Sequence, residues 1–537
     1  MSKNTQRLML LQGSILAGAG ILTKIIGFAY RIPMANLLGG QGNGIYSVSF
    51  GIYNIALTLS YGGLPLAVSK LVAARLAKGQ QRNARRVFWD ALLFAILVGG
   101  AAGLALYFGA DFFELLYQRE GLAKPLRVLA PTTLVVSILG VLRGWFQGHG
   151  NMIPTAMSQI FEQIVNAVVS VVAAWQLMQL YRLSPFVAAY GAAGGTIGTL
   201  AGAVTALLVL LYFRMTTRRR VREPLGGQES HALVFRALVL TVLPVILSQT
   251  VYQIGYTLDD LIFGNVMAAK GFAGDAIATL QGVFNTQYNQ LVNLPVSIAT
   301  AMAASAVPGI VASNAAGERR EAHRKITAVV KFNLAIALPS AVGLAVLATP
   351  LMQLLFPRLV TEQAIAARLL QIGSSAAVFY ALSTITTAIL QAGDHMQVPL
   401  RHCAVSLALH VALVFGLLQF TDLGVYALVI GNVSFPLLVS LLNCRAMGRL
   451  LGYHWKIARS FGVPLVASLG MGAVTWGSNA LLTLLHCPAV AALPLVVLLS
   501  IAVYGLLILK LHCFADSQLV ELPLGRKLLA LSKRLEK

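Results

Sequence analysis

Two cations seven residues apart are the first groups with chemistry to offer: Lys24 and Arg31 stand in the first apolar run. Seven residues are nearly two helical turns, so both lie on one helix face, about 10 Å apart along the axis. Neither is close to the cytoplasmic end of the run, where a long side chain snorkels easily. A cation at mid-membrane costs about 2.5–3.5 kcal/mol on insertion scales, so a retained one needs a reason. The expected reason is a water-filled cavity that binds an anion; internal ion pairing is the alternative. Lys70 and Arg143 stand near the cytoplasmic ends of the second and fourth runs, where snorkelling is the stronger reading and a cavity role the alternative.

Acidic and amide side chains add a second layer. Asp259 and Asp260 fall toward the outer end of the seventh run. Asp259 aligns with Arg31 in an internal repeat, which suggests that the two pair across an outer mouth and part when the lobes move. Glu162 in the fifth run is a candidate for ion or proton coupling, with Gln159, Gln163 and Asn166 beside it. In the eighth run Asn285, Asn289 and Asn293 recur every four residues, with Gln290 among them. Such amides hydrogen-bond sugar hydroxyls in a wet cavity, or glue helices together at about 0.6 kcal/mol per bond. Glue is the default for the fifth run and a cavity for the denser eighth.

Catalytic motifs are missing. The glycine-rich stretch 191–198 (GAAGGTIG) lies inside an apolar run rather than between a strand and a helix, so it is no phosphate loop. His395, His402 and His410 lack metal-ligand spacing, and no HExxH occurs. Cys403, Cys444, Cys487 and Cys513 form no CxxC pair, so neither a disulfide framework nor a zinc site is expected. No enzyme, metal or cofactor is predicted; membrane potential, sodium or protons remain as sources of energy.

These groups must be held by membrane helices. Of 537 residues 57% are hydrophobic and 11% charged, with mean hydropathy +0.77, against roughly 25% charged in soluble domains. That excludes a soluble enzyme, a disordered chain and an ordinary nucleic-acid-binding protein. Windows of about 20 apolar residues give fourteen spans, near 9–37, 44–73, 87–109, 125–147, 155–180, 187–213, 234–263, 276–312, 328–356, 364–391, 399–419, 425–447, 460–482 and 492–512. The expected fold is an all-α integral membrane protein. The basic start is followed by no small-residue cleavage site, so the first span reads as an uncleaved helix.

The net charge of +22 would suit a polyanionic partner, but its distribution says otherwise. One alternating set of loops holds Arg75 to Arg86, Arg214 to Arg222, Arg319 to Lys325 and Arg445 to Arg459. The opposite set holds only Arg119, Lys124, Arg182, Lys270 and Arg358, diluted by Asp111, Glu114, Glu120, Asp275 and Glu362. The positive-inside rule then puts both termini in the cytoplasm. After Asp516 leucines alternate with basic residues, which suits either a helix on the anionic inner leaflet or a solvated tail.

A repeat underlies the spans. Ile26-Gly27-Phe28 is echoed by Ile254-Gly255-Tyr256; Gly79, Arg82, Ala84 and Arg86 by Gly317, Arg320, Ala322 and Arg324; Gly148 and Pro154 by Gly393 and Pro399. Each repeat holds six spans, an even number, so the halves are parallel and related by an axis along the membrane normal. The expected domains are an N-lobe (1–220), a C-lobe (221–447), two added helices (448–512) and a basic tail (513–537).

Residues 24–33 (KIIGFAYRIP), 39–46 (GGQGNGIY), 63–73 (GLPLAVSKLVA) and 144–163 (GWFQGHGNMIPTAMSQIFEQ) resemble the polysaccharide-biosynthesis/stage V sporulation protein B branch, with its MurJ-type lipid II flippases, of the multidrug/oligosaccharidyl-lipid/polysaccharide exporter superfamily. The resemblance implies two lobes that alternate between inward-open and outward-open states. It implies a lipid-linked saccharide cargo, foremost the undecaprenyl-diphosphate precursor lipid II, and a lipid-tail groove at the two added helices. It also implies a monomer in the bacterial cytoplasmic membrane, with the bilayer and the cargo as partners and no nucleic acid. Lys24 matches one first-helix cation of the family in place, and Arg31 is displaced by one residue from another. The family's arginine pair in the second helix has no counterpart within Ile55 to Leu59, and Gln290 stands where an arginine is usual. The cationic cavity carries over; a one-to-one diphosphate clamp does not. A cation-coupled multidrug exporter and a non-transporting scaffold for wall or spore assembly are the alternatives.

Overall fold

A computed structural model describes residues 3–216, 229–315, 317–453, 455 and 458–514. The basic run Arg218 to Arg222, Lys456 and the alternating tail after Asp516 lie outside the described residues. Among the described residues the secondary structure is helical, with no strand. In chain order the helices are α1 (Lys3–Tyr61), α2 (Leu64–Ala77), α3 (Gln81–Phe108), α4 (Ala110–Leu116), α5 (Ala123–Gly148), α6 (Ile153–Leu180), α7 (Val187–Thr216), α8 (His231–Ala269) and α9 (Gly274–Gly282). A π-helical turn, Val283–Tyr288, leads into α10 (Asn289–Ala315). There follow α11 (Arg319–Val346), α12 (Ala348–Leu355), α13 (Val360–Gly373), α14 (Ala376–Ala392), α15 (Gln397–Phe420), α16 (Val425–Leu451), α17 (Val463–Leu484) and α18 (Ala489–Lys510).

The 59 residues of α1 would extend about 88 Å, far more than one bilayer core of about 30 Å. The helix is broken at Gly39 (φ 69, ψ 178), a backbone state that glycine adopts without a Cβ clash. Asn43 Nδ2 donates to the Ala35 carbonyl at 2.8 Å and the Gly39 carbonyl at 2.7 Å, so the acceptors beside the break are satisfied. The first expected span thus lies before this kink, and the second, 44–73, starts after it and runs past Tyr61 into α2.

Ten helical stretches among the described residues are long and apolar enough to cross a membrane, or eleven if α13 and α14, bent by 47°, form one span. There α1 and α2 count once, as Gly18–Ala77, while α8 and the run from α9 to α10 fall at the seventh and eighth expected spans. Fourteen spans are consistent with this arrangement.

The chain divides into two compact units, Met1–Gly282 and Val283–Lys537. Contact grouping keeps α8 and α9 with the first six expected spans, whereas the repeat divides the sequence after residue 220. The two divisions rest on different properties, packing and register. The first unit has a core of Leu64, Val68, Val87, Leu139, Leu142, Leu210 and Leu238, and a second around Ile45, Ile52, Leu126 and Leu129. The second unit is built on Ile326, Val330, Leu334, Ile385, Ile389 and Met447. Within it α17 packs on α18 and on α11, and Tyr504 donates to the Ala335 carbonyl at 2.7 Å. Leu97, Leu104, Leu469, Trp476, Leu498 and Ile501 are exposed, as suits side chains whose solvent is hydrocarbon.

Candidate functional site

In the first unit α1 lies against α6, and the polar residues gather along that seam. Lys24 and Arg31 fall on the exposed face of α1 with Ile21, Ile25 and Ala29, as their spacing requires. Arg31 interacts with Tyr30 and Tyr46. Among the described residues no carboxylate pairs with Arg31 or Lys24. From α6, Asn166 Nδ2 donates to the Tyr30 hydroxyl at 3.4 Å, and Gln163 abuts Gly27. Two of the three amides expected on the fifth span, Gln163 and Asn166, therefore meet the helix that carries the two cations.

Arg143 is different. It is buried; its Nη2 pairs with Glu162 Oε2 at 2.6 Å and its Nε donates to Ser158 Oγ at 3.2 Å. The structure thus joins a residue proposed for the cargo to one proposed for coupling, and each is the other's counter-ion. Lys70 is exposed on α2 and makes no ion pair among the described residues.

A clamp lies at the end of the first unit that the charge pattern assigns to the outside. Arg119, in the turn between α4 and α5, is 3% exposed. Its Nη1 donates to the Gly274 carbonyl at 2.7 Å and its Nη2 to Gln281 Oε1 at 2.5 Å. Gln281 Nε2 in turn donates to the Asp260 carbonyl at 2.7 Å. Burial pulls the Arg119 guanidinium down to about 10, while the charges of Asp260 and Asp275 act to keep it protonated. Asp259 and Asp260 are both buried. Gln41 Nε2 donates to Asp275 Oδ1 close by. A cavity of about 770 Å³ opens here, lined among others by Asp111, Glu114, Glu120, Asp275 and Arg119. Four lining carboxylates against one lining guanidinium disfavour an anionic headgroup here, although Asp111 is paired with Arg127.

In the second unit the amides form a chain. Asn289 Nδ2 donates to Asn285 Oδ1 at 3.4 Å, and Asn432 Nδ2 to Asn289 Oδ1 at 3.3 Å. The Tyr288 hydroxyl lies 3.1 Å from Asn432 Oδ1 and 3.0 Å from the Gly373 carbonyl. This chain crosses from the π-helical turn to α16. Gln290 is buried and Asn293 exposed, so of the four amides Asn293 is the most accessible.

Sequence reasoning missed Arg119, which counted only as a loop charge, and Gln281, which sits in an unremarkable run. It also missed Lys331, buried in α11 and donating to the Cys513 carbonyl. A lysine within the apolar run KFNLAIALP was the available signal.

The model of the polysaccharide biosynthesis protein family matches residues 10–314. Stage V sporulation protein B of Bacillus subtilis (strain 168) is 26% identical over 529 residues, covering 96% of this chain and 98% of that protein. Lipid II flippase MurJ of the same organism is 26% identical over 487 residues, covering 86% and 87%. Among solved structures, the inward-facing conformation of a multidrug resistance MATE family transporter of the MOP superfamily superposes with a TM-score of 0.67 at 16% identity, over 80% of this chain and 95% of that one. Lipid II flippase MurJ in an inward closed conformation gives 0.61 at 15%, over 92% and 99%. MurJ is named as a flippase and the MATE protein as a transporter, and none of these similar proteins is named as an enzyme. The chain is a multi-pass membrane protein with the fold of the MOP superfamily, and it belongs to the polysaccharide biosynthesis protein family.

Proposed function

We propose that this protein is a flippase that carries a lipid-linked saccharide from the inner to the outer leaflet of the bacterial cytoplasmic membrane by alternating access. The cargo is lipid II, and Lys24 and Arg31 hold its diphosphate. The observation that carries the reading is a pair of accessible cations within a span, both without a carboxylate partner among the described residues. A diphosphate supplies the missing anion, and charge-assisted hydrogen bonds to it are about twice as strong as neutral ones. Asn293, the accessible amide, faces the saccharide; α17 and α18 flank the prenyl chain. The protein works as a monomer with both termini cytoplasmic.

A drug exporter for cations would need a free carboxylate deep in the membrane. Glu162 is already neutralised by Arg143, which weighs against that alternative. At the outer mouth Arg31 and Asp259 pair in one state and part in the other.

Translocation of fluorescent lipid II in reconstituted vesicles tests the reading. Wild type moves the probe, while Lys24→Ala and Arg31→Ala insert normally and do not. Absence of transport by wild type, together with drug efflux in cells, sinks it. A panel of teichoic, capsular and O-antigen precursors separates lipid II from other cargoes. For the gate, Arg31→Asp stops transport and Arg31→Asp/Asp259→Arg restores part of it; equal inactivity of the two discards the pair.

A further inference from the structure

One residue just before α8 is held by three others. Glu229 Oε2 accepts from Arg75 Nε at 3.0 Å and from Arg75 Nη2 at 2.5 Å. Its carbonyl accepts from Arg86 Nη1, and its amide donates to Asn83 Oδ1 at 3.1 Å. Ser230 then caps the helix, its hydroxyl accepting from the Leu233 amide at 3.3 Å. His231 Nδ1 lies 2.6 Å from Asp90 Oδ1. Asn83, Arg86 and Asp90 follow one another at three and four residues, so they share one face of α3, and Arg75 stands in the last turn of α2. All these groups belong to the first compact unit, at the end that the charge pattern assigns to the cytoplasm.

The charges do not balance. Asp90 is the only acidic residue of α2 and α3, and His231 stands against it. One carboxylate, Glu229, is left between two guanidiniums. It compensates Arg75, whereas Arg86 reaches the Glu229 carbonyl and pairs with no carboxylate among the described residues. Both arginines are sheltered: Arg75 is 8% exposed and Arg86 half-buried. The fit is incomplete as well. The Nε–Nη2 edge of an arginine is a fork that matches two oxygens of one oxyanion, yet both nitrogens of Arg75 meet the same oxygen.

The second half of the repeat shows a balanced version. The register that sets Arg86 opposite Arg324 sets Asn83 opposite Glu321. In α11 Glu321 Oε1 accepts from Arg324 Nη2 at 2.9 Å, three residues along the same helix. In α3 that counter-ion position holds the neutral Asn83. The chain leaving α16 is tied to α11 by neutral acceptors and hydroxyls. His323 Nε2 lies 2.9 Å from the Leu451 carbonyl, and the Thr327 and Tyr453 hydroxyls are 3.0 Å apart. The first half has instead an ionic tie beside an arginine without a counter-ion on its own helix.

We propose that Arg75 and Arg86 form an anion site for a phosphate group, in which Glu229 is a built-in competitor. A phosphate group has oxygens for both forks and carries up to about two negative charges, which matches two guanidiniums. On binding it takes Arg75 from the Glu229 carboxylate and Arg86 from the Glu229 carbonyl. Residues 229–231, the anchor of α8, then come away from α3. A lipid headgroup at the cytoplasmic surface and a free phosphate offer the same chemistry. Neither Lys24 nor Arg31 belongs to this site, and it does not depend on the flippase reading.

Two arms test it on the full chain. In phosphatidylcholine nanodiscs the protein is titrated with pyrophosphate by calorimetry; in detergent it is titrated with phosphatidic acid by native mass spectrometry. Saturable binding in the first arm identifies a free phosphate as ligand, and binding in the second alone a lipid headgroup; either supports the site. In the arm that binds, Arg86→Gln should weaken affinity by about tenfold or more, while Arg324→Gln leaves it unchanged. Glu229→Gln removes the competitor and should tighten binding about tenfold, a gain that misfolding cannot imitate. Hydrogen exchange at residues 229–231 should quicken when the ligand is added. The proposal is overturned by an absence of saturable binding in both arms, or by wild-type affinity in either Arg86→Gln or Glu229→Gln. Equal weakening by Arg324→Gln, or exchange at 229–231 that the ligand leaves unchanged, overturns it too.

Discussion

Arg31 and Arg143 are both arginines in membrane-crossing helices of one compact unit, and both interact with tyrosines, yet they differ in exposure and in counter-ion. Arg143 is buried, with a carboxylate at 2.6 Å and a serine hydroxyl at 3.2 Å. Arg31 is exposed, with two tyrosines near it and no carboxylate partner among the described residues. A buried pair resists separation, because removing one member strands the other charge in a low dielectric. An unpaired accessible cation is free to take and release an anion. The same residue type is structural in one place and open to a ligand in the other, and the partner list, not the residue type, decides which.

The contrast is sharpest under mutation. Glu162→Gln should leave Arg143 uncompensated and lower stability by about 3 kcal/mol. Thermal unfolding in detergent measures the loss, and Arg143→Met with Glu162→Gln should recover much of it. If the single variant melts with wild type, the pair is not structural and the comparison collapses. Next in size, Lys24→Ala and Arg31→Ala should each weaken lipid II binding by about 1.5–3 kcal/mol, as for hydrogen bonds to charged groups, roughly ten- to a hundredfold in Kd. Their stability should change by no more than about 0.5 kcal/mol. A binding titration beside the same melting assay shows whether the two effects separate as they should.

Arg119 lies between these extremes, buried like Arg143 but held mainly by neutral acceptors. Arg119→Lys keeps the charge and loses the fork that reaches Gly274 and Gln281 together. It should cost about 1–2 kcal/mol, and Gln281→Leu about as much, with the double variant well short of the sum. Full additivity would show that the two residues do not act as one clamp. The smallest effect concerns His149, at the end of α5. Its Nδ1 meets the Trp145 carbonyl at 2.9 Å, and burial, with a contribution from Arg214, holds its pKa below the ordinary histidine value although the carbonyl contact opposes this. The folded state therefore binds this proton less readily than the unfolded chain. Stability is unaffected well above about pH 6.5 and declines as pH falls through that range. His149→Gln should flatten that decline slightly in melting curves taken between about pH 7 and 5.

Much of this was legible because a bilayer permits few solutions. Apolar length and basic loops leave helices as the only way to satisfy the backbone, and the resemblance of 24–33 and 144–163 carried the superfamily. The phase of Lys24 and Arg31 followed from helical geometry alone. The Arg143–Glu162 pair did not, since it joins α5 to α6 and depends on how two helices meet. Arg119 was hidden for a related reason: a charge in a turn looks the same in sequence whether it faces water or a buried glutamine. The row of asparagines was visible, but its partner Asn432 lies more than a hundred residues away.

The glycines of 191–198 are no phosphate loop, yet with Gly202 they have a mechanical meaning. A Cβ at Gly194 would come within 2.4 Å of Ala174 Cα, one at Gly198 within 2.1 Å of Ser170 Oγ, and one at Gly202 within 2.6 Å of the Glu162 carbonyl. Helices α6 and α7 therefore mesh closely, like a cog engaged over about two turns of α7. Such a seam transmits displacement and resists slip, because sliding by one residue would drive a side chain into the facing main chain. Wherever α7 is carried, α6 is carried with it, and the Glu162 carboxylate travels as part of the same rigid body.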